Sequence, residues 1–199
     1  RGAGMTAVGA ADGRVARGAR NRDALVDALL ELLREGVARP RAREIADRAG
    51  LSLRTVFQHF DDLEALHASA ADRQREHLTA WFRPLTADGP TDERVTALVA
   101  RRAELFEEIA PVRRASLLVT SPVLDRRRGE MGARLRREVG RALAPELDTA
   151  PAAPRADLLA ALELALSWES WDALRRVQGL SVAAAKRVTR LVVEQLLSR

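Results

Sequence analysis

Residues 41 to 66, RAREIADRAGLSLRTVFQHFDDLEAL, admit few backbone solutions. Ile45, Ala46 and Ala49 fall on one face of a short helix. Gly50 follows, where the backbone must turn sharply and a Cβ would be costly. Leu51 plugs the corner, and Ser52 is placed to cap a second helix. That helix, about Leu53 to Phe60, is expected to bury Val56 and Phe60 and to turn Arg54, Thr55, Gln58 and His59 outward. Two helices joined by a short turn containing Gly is the helix-turn-helix arrangement, whose second helix enters the DNA major groove.

Charge placement points the same way. Residues 1–60 hold 11 arginines and 7 acids, whereas residues 61–199 are nearly balanced, with 22 basic and 21 acidic side chains. The polyanion-facing charge therefore sits with the two short helices and what precedes them. At 199 residues and 47% hydrophobic, the chain is able to bury a core. Cysteine is absent, which excludes a disulfide framework and thiolate metal sites and fits a reducing, cytoplasmic setting. No membrane partner is expected, since Glu163 interrupts the most apolar run, Leu158 to Trp168. No apolar stretch follows the early arginines, so no signal peptide is expected.

Taken in order, residues 1–20 are rich in Gly, Ala and Arg without periodicity and read as a flexible basic arm. Its arginines, Arg14, Arg17 and Arg20, and Arg22 just beyond it, either add phosphate or minor-groove contacts or belong to a solubilising tail. A first helix is expected from Asn21 to Glu35, with Leu25, Leu29, Leu32 and Leu33 inward and Gly36 ending it. Arg41 stands at the N-cap of the next helix, where it cannot cap and opposes the helix dipole. Asp61 and Asp62 suit the start of a fourth helix running to about Phe82. After a break at 84–90, only helical patterns follow. They are expected at Thr91–Ile109, from Pro111 onward, Val123–Leu143, Arg155–Gln178 and Ser181–Leu197, with a Pro/Ala loop over Ala144–Pro154.

No catalytic constellation emerges, so an enzyme is not expected. The acids lie at helical spacing from arginines and read as surface pairs. His67 and His77 are ten residues apart, on different sides of one helix, and no metal or cofactor is expected. Aromatic residues make up only 4% of the chain, and Trp81, Phe82, Phe106, Trp168 and Trp171 either line a site for an apolar ligand or pack in the core or a subunit contact.

The series Ile45-Ala46, Ala49-Gly50-Leu51-Ser52, Thr55-Val56-Phe57-Gln58-His59-Phe60, Glu64 and Leu66 resembles the DNA-binding signature of the TetR family of transcriptional regulators. The match covers about Ala24 to Leu66; the remainder agrees in length and helical pattern only. The resemblance implies an all-α fold, with a three-helix DNA-binding head (residues 21–66) on a helical ligand-binding and dimerisation body (residues 67–199). It further implies a homodimer through the last two helices, and a repressor released from a palindromic double-stranded DNA operator by a small apolar or aromatic effector. The interface so implied comprises Arg41, Arg43, Ser52, Leu53, Arg54, Thr55, Phe57, Gln58 and His59. Arg43 and Arg54 suit guanine, Leu53 a thymine methyl, Gln58 a base or a phosphate, and Thr55 and His59 the DNA backbone. Phe57 stands where the family usually has Tyr and Leu63 where it commonly has Lys, which removes two phosphate partners that Arg41 and the arm are placed to replace. The competing readings are a sequence-nonspecific nucleic-acid binder and a ligand carrier whose head is vestigial.

Overall fold

Every regular element among the residues described by the computed structural model (6–79, 85, 87–149 and 151–198) is helical. The chain divides into two compact units. One takes in the described residues up to Thr79 together with 110–124, and the other those of 85–109 and 125–198.

In the first unit the long helix α1 (Thr6–Arg34) supplies the core stripe. Leu25, Leu29 and Leu33 are fully or almost fully buried, and they pack with Ile45, Ala46, Val56, Phe60, Leu66 and Ala70. These come from α2 (Ala42–Arg48), α3 (Leu53–His59) and its C-cap, and α4 (Leu63–Thr79). The helix begins at Thr6 rather than at Asn21, so residues 6–20 continue α1 and are not an irregular arm. Once the leucine-packed turns exist, each added Ala or Arg costs little, and the glycines in this stretch are tolerated within the helix.

The second unit is built on α5 (Thr91–Ser116), α6 (Pro122–Ala142), the short α7 (Ala144–Asp148), α8 (Ala152–Ala165), α9 (Trp168–Asp172) and α10 (Val182–Leu197). Its core holds Val95, Leu98, Val99, Val139, Leu143, Leu147, Leu162 and Val193. The last turns of α5 and the first residues of α6 belong to the first unit, where Val112 and Ala115 join the core.

Three further helix boundaries differ from the sequence reading. Pro111 lies inside α5 instead of opening a new helix. A mid-helix proline costs about 3 kcal/mol, and the buried residues on both sides of it, Phe106 and Val112, oppose that cost. Ala144–Pro154 is not wholly a loop, because Pro145 in the first turn of α7 gives up an N–H that a helix start does not use. The expected single helix Arg155–Gln178 is broken at Ser167, which turns extended and caps α9 by accepting the Ser170 N–H at 3.1 Å. Past α9 the backbone widens into a π-helical turn over Ala173–Val177, and Gly179 ends it with φ +68°.

Candidate nucleic-acid interface

The turn between α2 and α3 forms as its residues dictate. Gly50 adopts φ +66°, a left-handed conformation that side chains disfavour. Ser52 accepts the Thr55 N–H at 3.1 Å, and its hydroxyl also hydrogen-bonds the Thr55 hydroxyl at 2.8 Å. Val56 and Phe60 are buried, anchoring α3 by one face. The opposite face is open: Leu53 and Phe57 are 41% and 55% exposed, and Ser52, Arg54 and Gln58 are exposed beside them.

Arg43 on α2 and Arg54 on α3 are exposed, and neither guanidinium is committed to a described residue. Arg48 differs, since Glu35 just past the end of α1 takes both of its terminal nitrogens at 2.8 and 2.7 Å, and Glu31 on α1 lies 3.5 Å away. That hydrogen bonding holds the Glu35 carboxyl below the usual carboxylate range. The α2–α3 pair thus has one arginine spent on fixing α2 to α1 and two left facing outward.

Arg41 does stand at the N-cap of α2, and its side chain caps nothing. Sequence reasoning missed the compensation. The Glu44 carboxylate accepts the Arg41 backbone N–H at 2.6 Å and places a negative charge in the first turn, favourable to the dipole. The Arg41 guanidinium is therefore not needed for capping and stays exposed.

Arg22 has a structural post instead of the phosphate contact considered for it. It donates to the His59 carbonyl at 2.8 Å and to the Ser69 hydroxyl at 2.9 Å, with its guanidinium 4.2 Å from the Phe60 ring centroid. One side chain from α1 so clamps the C-terminus of α3 and the second turn of α4. A cation–π contact at such a site adds about 0.5–1 kcal/mol. His59 and Thr55, expected to turn outward, are instead half-buried. Nothing local in the sequence signals a bond across 37 positions. Gly18 on α1 also faces the His59 imidazole, which brings that part of α1 to the end of α3; Arg17 and Arg20 beside it are exposed. The side chain of Arg14 lies outside the described residues.

Of the aromatic residues singled out for ligand binding, Trp81 and Phe82 lie outside the described residues. Phe106, Trp168 and Trp171 are all buried in the second unit. Phe106 and Trp168 meet edge to face, 5.9 Å between centroids at 83°. The Trp171 indole N–H donates to Glu107 at 2.9 Å, and Arg175 holds the same carboxylate from both sides at 2.8 and 3.1 Å. The partner that a buried indole requires is thus a carboxylate of α5. The second unit also carries a cleft of about 880 Å³ between α7, α8 and the end of α10, lined by residues that include Pro145, Leu158, Ala161 and Leu197 and by none of Phe106, Trp168 and Trp171.

No family model matches this chain, and no curated protein matches it.

Proposed function

We propose that the protein is a DNA-binding transcriptional regulator of the TetR type, with α2, the Gly50 turn and α3 acting as a helix-turn-helix and α3 as the recognition helix. One observation carries this reading. The α3 helix is anchored through Val56 and Phe60, clamped at its end by Arg22, and left with Leu53, Arg54, Phe57 and Gln58 exposed in a row. Such a face, rigid behind and uncommitted in front, suits base edges in a major groove. Arg54 and Arg43 grip guanine, and Arg41, with Arg17 and Arg20, supplies phosphate contacts.

Homodimerisation through the last two helices belongs to the same proposal. It is supported by large apolar side chains left at the surface of α8 and α10, with Leu164 66%, Leu191 57% and Val192 43% exposed. Two-fold symmetry is the commonest way to cover such faces, and it matches a palindromic operator. An apolar or aromatic effector releases the protein from DNA by binding the DNA-incompetent state more tightly.

Arg54→Ala is expected to weaken binding to the selected operator by about 1–3 kcal/mol and to leave binding to scrambled duplex nearly unchanged at the same salt. Fluorescence anisotropy on both duplexes measures this. Equal losses on the two would remove Arg54 from base reading.

A further inference from the structure

The first unit contains a cavity of about 260 Å³ that the DNA-binding reading does not use. Leu63, Glu64 and His67 of α4 face it, together with Arg39 from the α1–α2 connection and Leu118 and Val119 from the turn after α5. His67 is 92% buried, 8% exposed, yet its imidazole makes no hydrogen bond to a described residue. The ring lines the cavity, where water or a ligand serves as its hydrogen-bond partner. Burial lowers the His67 pKa, so at neutral pH the ring is uncharged and offers a lone pair to a donor.

The other polar groups of the cavity divide by charge. Glu64 takes the Ser121 hydroxyl on Oε1, a bond that ties α4 to the start of α6, and its Oε2 remains open to a donor. Arg39 is exposed and committed to no described residue. The wall is therefore one anion, one neutral acceptor and one cation around an aliphatic surface. A ligand that matches all four features carries an ammonium, a carboxylate and a branched hydrocarbon. Size narrows it further. A cavity of about 150 Å³ holds benzene, and in that proportion 260 Å³ accommodates about ten non-hydrogen atoms.

We propose that this cavity binds a small aliphatic α-amino acid, with its ammonium on Glu64 and His67, its carboxylate on Arg39, and its side chain against Leu63, Leu118 and Val119. The ammonium offers a donor to the His67 lone pair in place of water. The bond to Glu64 places the ligand on the α4–α6 tie, a point from which occupancy reaches two helices.

Calorimetry on the full chain without DNA tests this, so that its outcome is separate from that of the DNA-binding reading. The probes are L-leucine, leucinamide, which lacks the carboxylate, and 4-methylpentanoate, which lacks the amine. Leucine is expected to bind about tenfold or more tightly than either, since each probe loses at least one charged hydrogen bond. Arg39→Ala lowers leucine to the affinity of leucinamide, and Glu64→Gln weakens leucine while leaving 4-methylpentanoate unchanged. Acidification weakens leucine once it charges His67, because an imidazolium repels the ammonium, and burial moves that loss below the ordinary imidazole range. Because Arg39 is exposed, its variant keeps the test decisive if Glu64→Gln fails to fold. No heat with millimolar leucine, equal affinity for the three probes, or an unchanged leucine affinity in Arg39→Ala would each overturn the proposal.

Discussion

Trp168→Ala is expected to destabilise the second unit by about 3–5 kcal/mol, as large-to-small changes do when the surrounding core cannot collapse. Trp168 is only 6% exposed and stands edge-on to Phe106. The aromatic pair adds about 0.5–1.5 kcal/mol beyond its buried area. Its neighbour Trp171 is fixed through its indole N–H to Glu107, so the residues around the deletion are held in place. Thermal melting of the variant, followed by far-UV circular dichroism, should show a large fall in Tm. Trp168→Phe should recover part of it. A variant that melts normally yet loses affinity for an apolar ligand would identify Trp168 as part of a ligand site instead.

Breaking the buried charge cluster of α5 and α6 should have an effect of the same order. Arg102 is 2% exposed and Glu138 is 4% exposed, in contact at 2.8 Å. The Glu138 carboxylate also accepts from Arg101 at 2.9 Å, and Arg102 donates to the Leu135 carbonyl at 2.8 Å. The close approach of Arg102 and Glu138 is ionic, not an aligned hydrogen bond, and the Arg102 Nε–H has no acceptor among the described residues. Burial pulls the Arg102 pKa down, with Glu138 opposing and Arg101 reinforcing the fall. Glu138→Ala leaves that guanidinium buried without its anion, at a cost of about 3–5 kcal/mol. The double change Arg102→Met with Glu138→Leu removes both charges and should be nearly neutral or stabilising. Denaturant unfolding of the three proteins decides between them. A double variant as unstable as Glu138→Ala would mean that the ion pair is itself a net source of stability.

The sequence made the α2–α3 segment legible because its determinants are local. Gly50, Ser52, Val56 and Phe60 each act within a few residues, and each sits as its chemistry requires. The start of α1 was not legible, because Asn21 is a good cap by type and only continuation from packed leucines keeps the helix going to Thr6. Pro111 misled for the reverse reason, since a strong local breaker is overruled by burial on either side. The break at Ser167 carried a readable sign, a serine ahead of Trp-Glu-Ser, that the apolar run around it obscured. Of the four α3 side chains expected outward from helical spacing, Arg54 and Gln58 are exposed, whereas Thr55 and His59 are half-buried. The clamp by Arg22 and the holding of Arg48 by Glu35 join residues 37 and 13 positions apart, which periodicity cannot reveal.

Selection of bound duplexes from a random DNA pool, at one fixed salt concentration, tests the central claim most directly. A dimer reading DNA through two copies of α3 should enrich a two-fold symmetric sequence, and Arg54→Ala should lose preference at the guanine it contacts in each half-site. Recovery of DNA with no shared palindrome would contradict the account and leave a protein that holds nucleic acid by charge alone.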